Sequence, residues 1–217
     1  MTLELFGHPF SSYTWKVLIP LYADGTEFEF RQVPENEENY AELKRIWPLG
    51  KFPLLLDDGE PVMETTPIIE HLQAHHPGPN VWIPDGELGR RVRFLDRFFD
   101  LYVQGNMQPS VNHALRPEGM GDAYGAEQGR KNLCLAYDWL EANLAGDEWA
   151  AGEAFTLADC AAAPALFYAD WVEEIGEQRP RVKAYRGRLL AHPVVARVVD
   201  EARPYRPYFP LGAPDRD

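Results

Sequence analysis

The sequence predicts a mixed α/β domain followed by an all-helical domain. Alternating apolar and polar residues, which are typical of half-buried strands, occur only in the first third of the chain. From residue 87 onward the apolar residues recur at helical spacing instead. Between these regions, the segment 77–84 carries three prolines and a glycine, a composition typical of a linker. We therefore expect domains at 1–78 and 87–217, joined by a linker at 79–86.

The first domain begins with a strand at 3–6, a turn at 7–9 and a helix that starts at Ser11 or Ser12. The remaining elements are a strand at 27–33, a helix at 36–46, a hairpin over 53–63, and a helix that has Thr65 or Thr66 as its N-cap and ends before Pro77. A strand-helix-strand order implies a parallel pair, whereas a hairpin implies an antiparallel pair. These elements predict one small mixed sheet that carries helices.

The second domain shows helical patterns throughout. We expect helices at 87–112, 124–144, 156–171, 180–191 and 193–203, followed by an extended tail at 204–217. The helix at 156–171 is apolar nearly all round, which is typical of a buried central helix. Thr156 and Asp159 have the spacing of a capping box, which stabilises the start of that helix.

Composition excludes several classes of protein. The formal net charge of −13 argues against nucleic acid and anionic membranes as partners. No apolar run approaches the roughly 18 residues of a membrane span, and the N-terminus lacks the pattern of a signal peptide. Cys134 and Cys160 lie within apolar helical patterns, so we expect two buried, reduced thiols and a cytoplasmic location.

The turn before the first helix offers hydroxyl groups at a useful place. A helix N-terminus presents N–H groups and a partial positive charge, which favour a thiolate nearby. This chain has no cysteine there, but Ser11, Ser12, Tyr13 and Thr14 all carry hydroxyls. One of them could donate a hydrogen bond to the thiolate of a ligand. Alternatively, a serine here simply caps the helix, and the stretch by itself favours that simpler interpretation.

Three motifs resemble one family when they are taken in order. The segment 11–17 (SSYTWKV) resembles the active-site stretch of serine-type glutathione transferases of the zeta or tau kind. The segment 50–54 (GKFPL) resembles the family's Gly-Lys-Val-Pro-x-Leu, in which the proline is cis. The pair Glu64-Thr65 resembles the Glu-Ser that opens the third helix. The resemblance covers essentially the whole chain.

The resemblance implies a thioredoxin-like first domain that binds glutathione and an all-α second domain that supplies most of the co-substrate pocket. It also implies a homodimer. Ser11 aligns with the catalytic serine, whose implied role is to donate a hydrogen bond to the glutathione sulfur, with Ser12 and Tyr13 as rivals. The implied glutathione-binding residues are Lys51, Phe52, Pro53, Glu64 and Thr65.

The co-substrate pocket is less closely specified. Its candidate residues are Phe10, Tyr13, Tyr102, Asn106, His113 and Trp171. We expect no metal, because the adjacent His75 and His76 give poor chelate geometry without further ligands. The sequence thus predicts a glutathione transferase that attacks an electrophilic small molecule. Two alternatives are a non-catalytic ligand-binding or partner-docking module of the same fold, and a zeta-like glutathione-dependent cis–trans isomerase, which the tyrosine at position 13 disfavours.

Overall fold

A four-stranded mixed sheet organises the first part of the chain. The computed structural model describes residues 2–144 and 148–217. In chain order the elements are β1 (Leu3–Gly7), α1 (Ser12–Asp24), β2 (Glu29–Gln32), α2 (Glu37–Ile46), β3 (Leu54–Asp57), β4 (Glu60–Met63) and α3 (Thr65–His75). The sheet order is β2-β1-β3-β4, in which β1 and β2 are parallel and the other pairs are antiparallel. The predicted parallel pair and hairpin are confirmed.

Both faces of the sheet are covered, as its apolar strands require. On one face, Leu5 and Leu55 join the main core together with α1 and α3. On the other face, Phe6 and Leu54 form a smaller core with Leu43 of α2. Because successive side chains of a strand point to opposite faces, β1 contributes to both cores. The packing of helices on both faces of the sheet fixes the position of the turn between β1 and α1.

The second part is helical throughout the described residues. It contains α4 (Gly86–Phe98), a π-helical segment (Phe99–Gln104), α5 (Gly105–Leu115), α6 (Ala123–Asn143), α7 (Leu157–Val172), α8 (Pro180–Ala191), α9 (Pro193–Ala202) and a 3₁₀ helix (Arg203–Tyr208). The single helix predicted at 87–112 is therefore three consecutive segments. The π-helical segment has more residues per turn than an α-helix. The apolar faces of α4 and α5 therefore do not continue one another with a single 3.6-residue period.

Helix α7 is the centre of the helical part, as predicted. Nearly all of its residues are buried, and Trp15 of α1 packs against Phe167 of α7 with ring centroids 4.9 Å apart. The predicted capping box is present, and the Asp159 carboxylate accepts a hydrogen bond from the Thr156 N–H at 2.9 Å. The contact between α1 and α7 fixes the turn that precedes α1 against the helical part.

Three local predictions were wrong. The N-cap of α3 is Glu64, one residue before the predicted threonines, and its side chain does not cap the helix. The tail is not simply extended, because Arg203–Tyr208 forms a 3₁₀ helix and Phe209 is buried. Cys160 is buried as expected, but Cys134 is only half-buried, and both are free thiols. Within the described residues, no helix is both long enough and apolar enough to cross a membrane.

Candidate active site

The first turn of α1 carries the predicted catalytic serine. Ser11 is the N-cap of the helix, with extended backbone angles, and its Oγ accepts a hydrogen bond from the Thr14 N–H at 3.3 Å. A hydroxyl has one proton to donate and two lone pairs that accept. Capping uses an accepting lone pair, so the Ser11 proton stays available to a ligand. The two interpretations of Ser11 are therefore compatible.

Side chains from α1, from α7 and from the turn itself hold the turn that precedes Ser11. The ring Nδ1 of His8 accepts a hydrogen bond from the Phe10 N–H at 3.0 Å. The indole N–H of Trp15 donates to the Pro9 carbonyl, and the Tyr168 hydroxyl donates to the Phe10 carbonyl at 2.9 Å. Because these bonds come from buried side chains of α1 and α7, the backbone at Ser11 is preorganised.

A small cleft of about 280 Å³ brings together all five predicted glutathione-binding residues. It is lined by Tyr13, Trp47, Lys51, Phe52, Pro53, Glu64 and Thr65. The Phe52–Pro53 peptide bond is cis, as the resemblance implied. Sequence reasoning missed Trp47, which is the C-cap of α2 and directly precedes the 48–54 segment. The only signal was its position next to a recognised motif.

Glu64 has an unusual backbone conformation at the mouth of this cleft. Its φ of 71° and ψ of 135° lie in a region that residues with a side chain rarely adopt. Such a conformation costs about 1–3 kcal/mol and persists where the surroundings impose it. Glu64 is the N-cap of α3 and Thr65 is its first residue. At this end of the helix the free N–H groups and the helix dipole favour binding of an anionic group of a ligand.

A larger cleft of about 670 Å³ adjoins the small one. Tyr13, Lys51 and Phe52 line both clefts. The other residues of the large cleft are Phe10, Ser11, Ser12, Gly50, Gln104, Gly105, Met107, Gln108, Val111, Asn112, Leu115, Tyr168, Tyr208, Phe209 and Pro210. This volume lies within the usual range of small-molecule sites, about 300–1,000 Å³. Ser11 therefore faces a cleft that opens directly onto the predicted glutathione site.

Most of the predicted co-substrate residues lie elsewhere. Phe10 and Tyr13 line the large cleft, but Tyr102, Asn106 and His113 are absent from its lining. The Asn106 side-chain amide donates to the Tyr102 carbonyl instead. Trp171 is buried against Phe209, with ring centroids 5.1 Å apart, and belongs to the aromatic core beside the cleft.

Residues of α5 and the tail form the missed wall of the large cleft. Gln104, Gln108 and Asn112 follow one another at four-residue spacing, which places them on one helical face. That spacing was a usable signal, but the π-helical segment just before α5 hides which face turns inward. Tyr208 and Phe209 of the tail gave no sequence signal, because only tertiary packing brings them to the cleft.

Tyr13 remains a neutral phenol at physiological pH. Burial, together with the carboxylates of Asp100 and Glu64, raises the pKa of Tyr13 to about 12. Its hydroxyl can therefore donate a hydrogen bond, but it does not supply a charge near neutrality. Burial also raises the pKa of Asp100, although Lys16 opposes this effect.

A buried ionic network connects α1 to α3 and to the helical part. The Lys16 ammonium lies 2.6 Å from Asp96 Oδ1 and 2.7 Å from Asp100 Oδ2. The Thr66 hydroxyl donates to the other oxygen of Asp96 at 2.7 Å. Since Lys16 and Asp96 are each 1 % exposed, removal of the Lys16 charge would leave the Asp96 carboxylate buried without a cation. The network fixes α1 relative to Thr65 and Glu64.

Two family profiles match this arrangement in order. One described as "Glutathione S-transferase, N-terminal domain" matches residues 5–80, and one described as "Glutathione S-transferase, C-terminal domain" matches residues 100–193. Glutathione S-transferase theta-2 of Homo sapiens is 30% identical over 207 residues, which cover 88% of this chain and 82% of the human protein. The chain belongs to the glutathione S-transferase family.

Other relatives of this glutathione transferase carry a different name. A probable maleylacetoacetate isomerase of Vibrio cholerae is 25% identical over 213 residues, which cover 94% of this chain and 98% of that protein. Similarity to both kinds of relative means that the substrate has to be argued from the cleft itself.

Solved structures of other glutathione transferases share this fold. A glutathione S-transferase from Methylobacterium radiotolerans, in complex with glutathione sulfonate, superposes with a TM-score of 0.79 at 25% identity and covers 92% of this chain and 95% of its own. Human theta-2 in complex with glutathione and an unknown ligand gives a TM-score of 0.80 at 29% identity, covering 94% and 86%. Both neighbours are described with a glutathione-type ligand bound.

Proposed function

We propose that this glutathione transferase activates the glutathione thiol through the hydroxyl of Ser11 and directs it at an electrophile in the large cleft. The observation that carries this proposal is that Ser11, at the N-terminus of α1, lines the large cleft, which shares Tyr13, Lys51 and Phe52 with the small one. A hydrogen bond to the sulfur, together with the N-terminus of α1, favours the thiolate over the thiol. The thiol of free glutathione has a pKa near ~8.5, so a drop of about two units makes the thiolate dominant at neutral pH.

The small cleft suits a tripeptide with two carboxylates and one amine. Thr65 and the N-terminus of α3 would bind the carboxylate of the γ-glutamyl end, and Glu64 would bind its amine. Phe52 would pair its backbone with the cysteinyl unit, as an added strand pairs with a sheet edge. Lys51 would bind the carboxylate of the glycyl end. These assignments place the sulfur towards Ser11, with Ser12 and Tyr13 as the rival donors.

The electrophile that suits the large cleft is uncharged and mainly apolar. Among the described residues that line the two clefts, the charged side chains are Lys51 and Glu64, and both belong to the glutathione part. The wall of α5 offers Met107, Val111 and Leu115 for apolar contact. Burial of an anion against this wall would lack a compensating cation, which makes such a ligand costly to bind.

Gln104 adds a polar contact to this wall. It is 5% exposed, and its Oε1 has no hydrogen-bond partner among the described residues. A buried amide without a partner is costly, so a ligand that donates a hydrogen bond there would gain affinity. We expect the electrophile to combine an apolar body with a donor group.

The zeta-like isomerase is the second candidate, and its support is the similarity to probable maleylacetoacetate isomerases. The substrate in that name is a dicarboxylate. The large cleft has Lys51 as its charged lining residue within the described chain, and our proposal assigns that residue to glutathione. Charge balance therefore favours conjugation of an uncharged electrophile over isomerisation.

We also propose a cytoplasmic homodimer. Phe94, Leu101 and Tyr102 are 45%, 48% and 52% exposed along α4 and the π-helical segment. Exposed large apolar side chains on neighbouring turns favour contact with another protein surface. A second copy that covers this face would bury it and lie beside Tyr13. Glutathione itself is kept reduced in the cytoplasm, which suits a chain with free thiols.

The deciding experiment is a titration of the protein with glutathione, followed by the ultraviolet absorbance of the thiolate at a series of pH values. We expect a thiolate signal with an apparent pKa about two units below that of free glutathione. The variant Ser11→Ala should lose this signal, whereas Ser12→Ala should keep it. Binding of S-methylglutathione, which has no thiol, reports the affinity of each variant independently.

Three outcomes contradict the proposal in different ways. Binding of glutathione without thiolate formation would support the non-catalytic module. Thiolate formation that survives Ser11→Ala but not Tyr13→Phe would move the donor role to Tyr13. A dicarboxylate isomerisation that outpaces conjugation of neutral electrophiles would favour the isomerase.

A further inference from the structure

A cluster of imidazole and carboxylate groups lies at the opposite end of α3 from Glu64. Asp57 is the last residue of β3, His71 lies in the last turns of α3, and His76 is the C-cap of that helix. His71 Nε2 lies 2.8 Å from Asp57 Oδ2, and His76 Nε2 lies 2.7 Å from the same oxygen. None of these three residues lines either cleft of the active site.

The end of α3 explains how two histidines five positions apart reach one carboxylate. Residues five apart on a regular helix point in clearly different directions. His76 leaves the helical path with φ −130° and ψ 54°, and its ring thereby turns back towards His71. The ring of His75 lies beside that of His71, with centroids 4.5 Å apart. Strand β3 then supplies Asp57 from the other side.

We propose that Asp57, His71 and His76 form a binding site for a divalent transition-metal ion of the Zn²⁺ type. Their ligand atoms all lie within 4.8 Å of one another, and the side chains are 15%, 24% and 14% exposed. Two imidazole nitrogens and one carboxylate oxygen are a common protein ligand set for zinc, with a fourth position left to water or another side chain. This site is separate from the glutathione site.

The two nitrogen-to-oxygen distances need only a small adjustment. Zinc binds histidine nitrogen and carboxylate oxygen at about 2.0–2.2 Å, so ligand atoms around a tetrahedral ion stand about 3.3 Å apart. The present nitrogen-to-oxygen distances of 2.7 and 2.8 Å therefore have to open by roughly half an ångström. Rotation of side chains that are still partly exposed allows this. The neighbouring His75 is the candidate for the fourth ligand.

The effect of the ion would be to join β3 to the end of α3. Metal ligands from separate elements bind the folded chain and not the unfolded one, so binding stabilises the fold. Spacing along the sequence places His71, His75 and His76 at the end of one helix, but it could not reveal the site because it does not show the carboxylate that joins them. Asp57 is brought to them by the packing of α3 against the sheet.

The test is calorimetric titration of Zn²⁺ into metal-free protein without an affinity tag, at slightly alkaline pH. We expect saturable binding of one ion per chain and a rise in melting temperature. His71→Gln and His76→Gln should each lower the affinity for Zn²⁺ by at least about 100-fold. Loss of a residue that only hydrogen-bonds to a metal ligand already lowers metal affinity by about 10- to 100-fold, and loss of the ligand itself should cost no less. Glutamine can still donate a hydrogen bond to Asp57, so these variants keep that contact while they lose the imidazole.

Two matched controls exclude other zinc ligands. His113→Gln removes a histidine of α5, and Cys134→Ser removes the half-buried thiol. Both should bind Zn²⁺ like the unmodified chain, and Co²⁺ in place of Zn²⁺ should give the visible absorption of a nitrogen- and oxygen-bound ion. Absence of saturable binding would show a hydrogen-bonded contact only and overturn the proposal. Binding that is lost in Cys134→Ser but kept in both glutamine variants would overturn it as well.

Discussion

The Oγ of Ser11 accepts a hydrogen bond from the backbone N–H of Thr14 at 3.3 Å. The serine thus caps α1 while it lines the large cleft. Because a hydroxyl can accept and donate at once, the cap fixes the oxygen in place and leaves the proton available for the hydrogen bond that we propose to the sulfur of glutathione. The stability of the helix and the proposed chemistry depend on the same atom.

Replacement of Ser11 should therefore have two separable effects. Ser11→Ala should lower turnover by roughly 10²–10³, as for loss of one donor to a developing anion. It should also cost about 1 kcal/mol of stability through loss of the cap. Ser11→Asp keeps an accepting cap but has no proton to donate, so it should retain stability and still lose turnover. Steady-state kinetics measure the effect on turnover, and urea unfolding measures the effect on stability. Unchanged turnover in Ser11→Ala would contradict the assignment of Ser11 as the donor to the glutathione sulfur.

Lys51 should act on glutathione binding more than on chemistry. Lys51→Gln removes the cation that we assign to the glycyl carboxylate, so the KM for glutathione should rise about tenfold while kcat changes little. The side chain is exposed, which limits the size of the effect. Lys131→Gln on α6 is the control, since Lys131 pairs with Glu127 on a distant surface. Equal kinetics for the two variants would argue against a role for Lys51.

Replacement of Glu64 by glycine should increase the stability of the fold and weaken the binding of glutathione. Glycine adopts a φ of 71° without strain, so Glu64→Gly should raise the free energy of unfolding by about 1 kcal/mol. The same variant should bind S-methylglutathione more weakly, because it lacks the carboxylate for the amine. Glu64→Gln keeps the strain and loses only the charge, so it should bind weakly without any gain in stability. A Gly variant less stable than the Gln variant would mean that the backbone conformation is not strained.

Residues of the tail should affect binding of the electrophile and not binding of glutathione. Tyr208 lines only the larger of the two clefts, on the side of the helical part. Tyr208→Ala should change the KM for the electrophile several-fold, while the affinity for S-methylglutathione stays the same. Tyr124→Ala provides the control, because Tyr124 is 76% exposed and does not line the cleft. A matched loss of glutathione affinity would mean that the tail supports the whole site.

Alkaline solution should destabilise the fold through its buried tyrosines. Burial raises the pKa of Tyr137, Tyr168 and Tyr185 well above the usual value. Above about pH 10 the unfolded chain releases these protons and the folded chain keeps them, so the free energy of unfolding falls as pH rises. Each such tyrosine contributes a slope of about 1.4 kcal/mol per pH unit. Below pH 10 the contribution is fully present.

Urea unfolding at increasing pH measures this slope. Tyr137→Phe should reduce it by the share of one tyrosine, whereas Tyr124→Phe at an exposed position should leave it unchanged. A slope that does not differ between these two variants would show that Tyr137 titrates normally in the folded protein.

Local patterns were sufficient for much of the fold. Alternation and turn residues gave the sheet with its parallel pair and hairpin, and Thr156 with Asp159 gave the start of α7. Glu64 shows the limit of such patterns, because sequence preference favoured a threonine cap and tertiary packing imposed a strained residue instead. The single helix predicted at 87–112 failed for a related reason. A π-helical segment is stabilised by its neighbours and has no clear signal in apolar spacing.

The sequence by itself determined the elements, the order of the three motifs and the five residues that now line the small cleft. The resemblance of two short motifs to the family named those residues, since Lys51, Phe52 and Pro53 are consecutive and Glu64 and Thr65 are adjacent along the chain. Tertiary structure decided the wall of the large cleft, where α5 and Tyr208 meet Phe10, and the meeting of Asp57 with His71 and His76. Such contacts join residues far apart in sequence, and their geometry depends on how whole elements pack rather than on any short pattern.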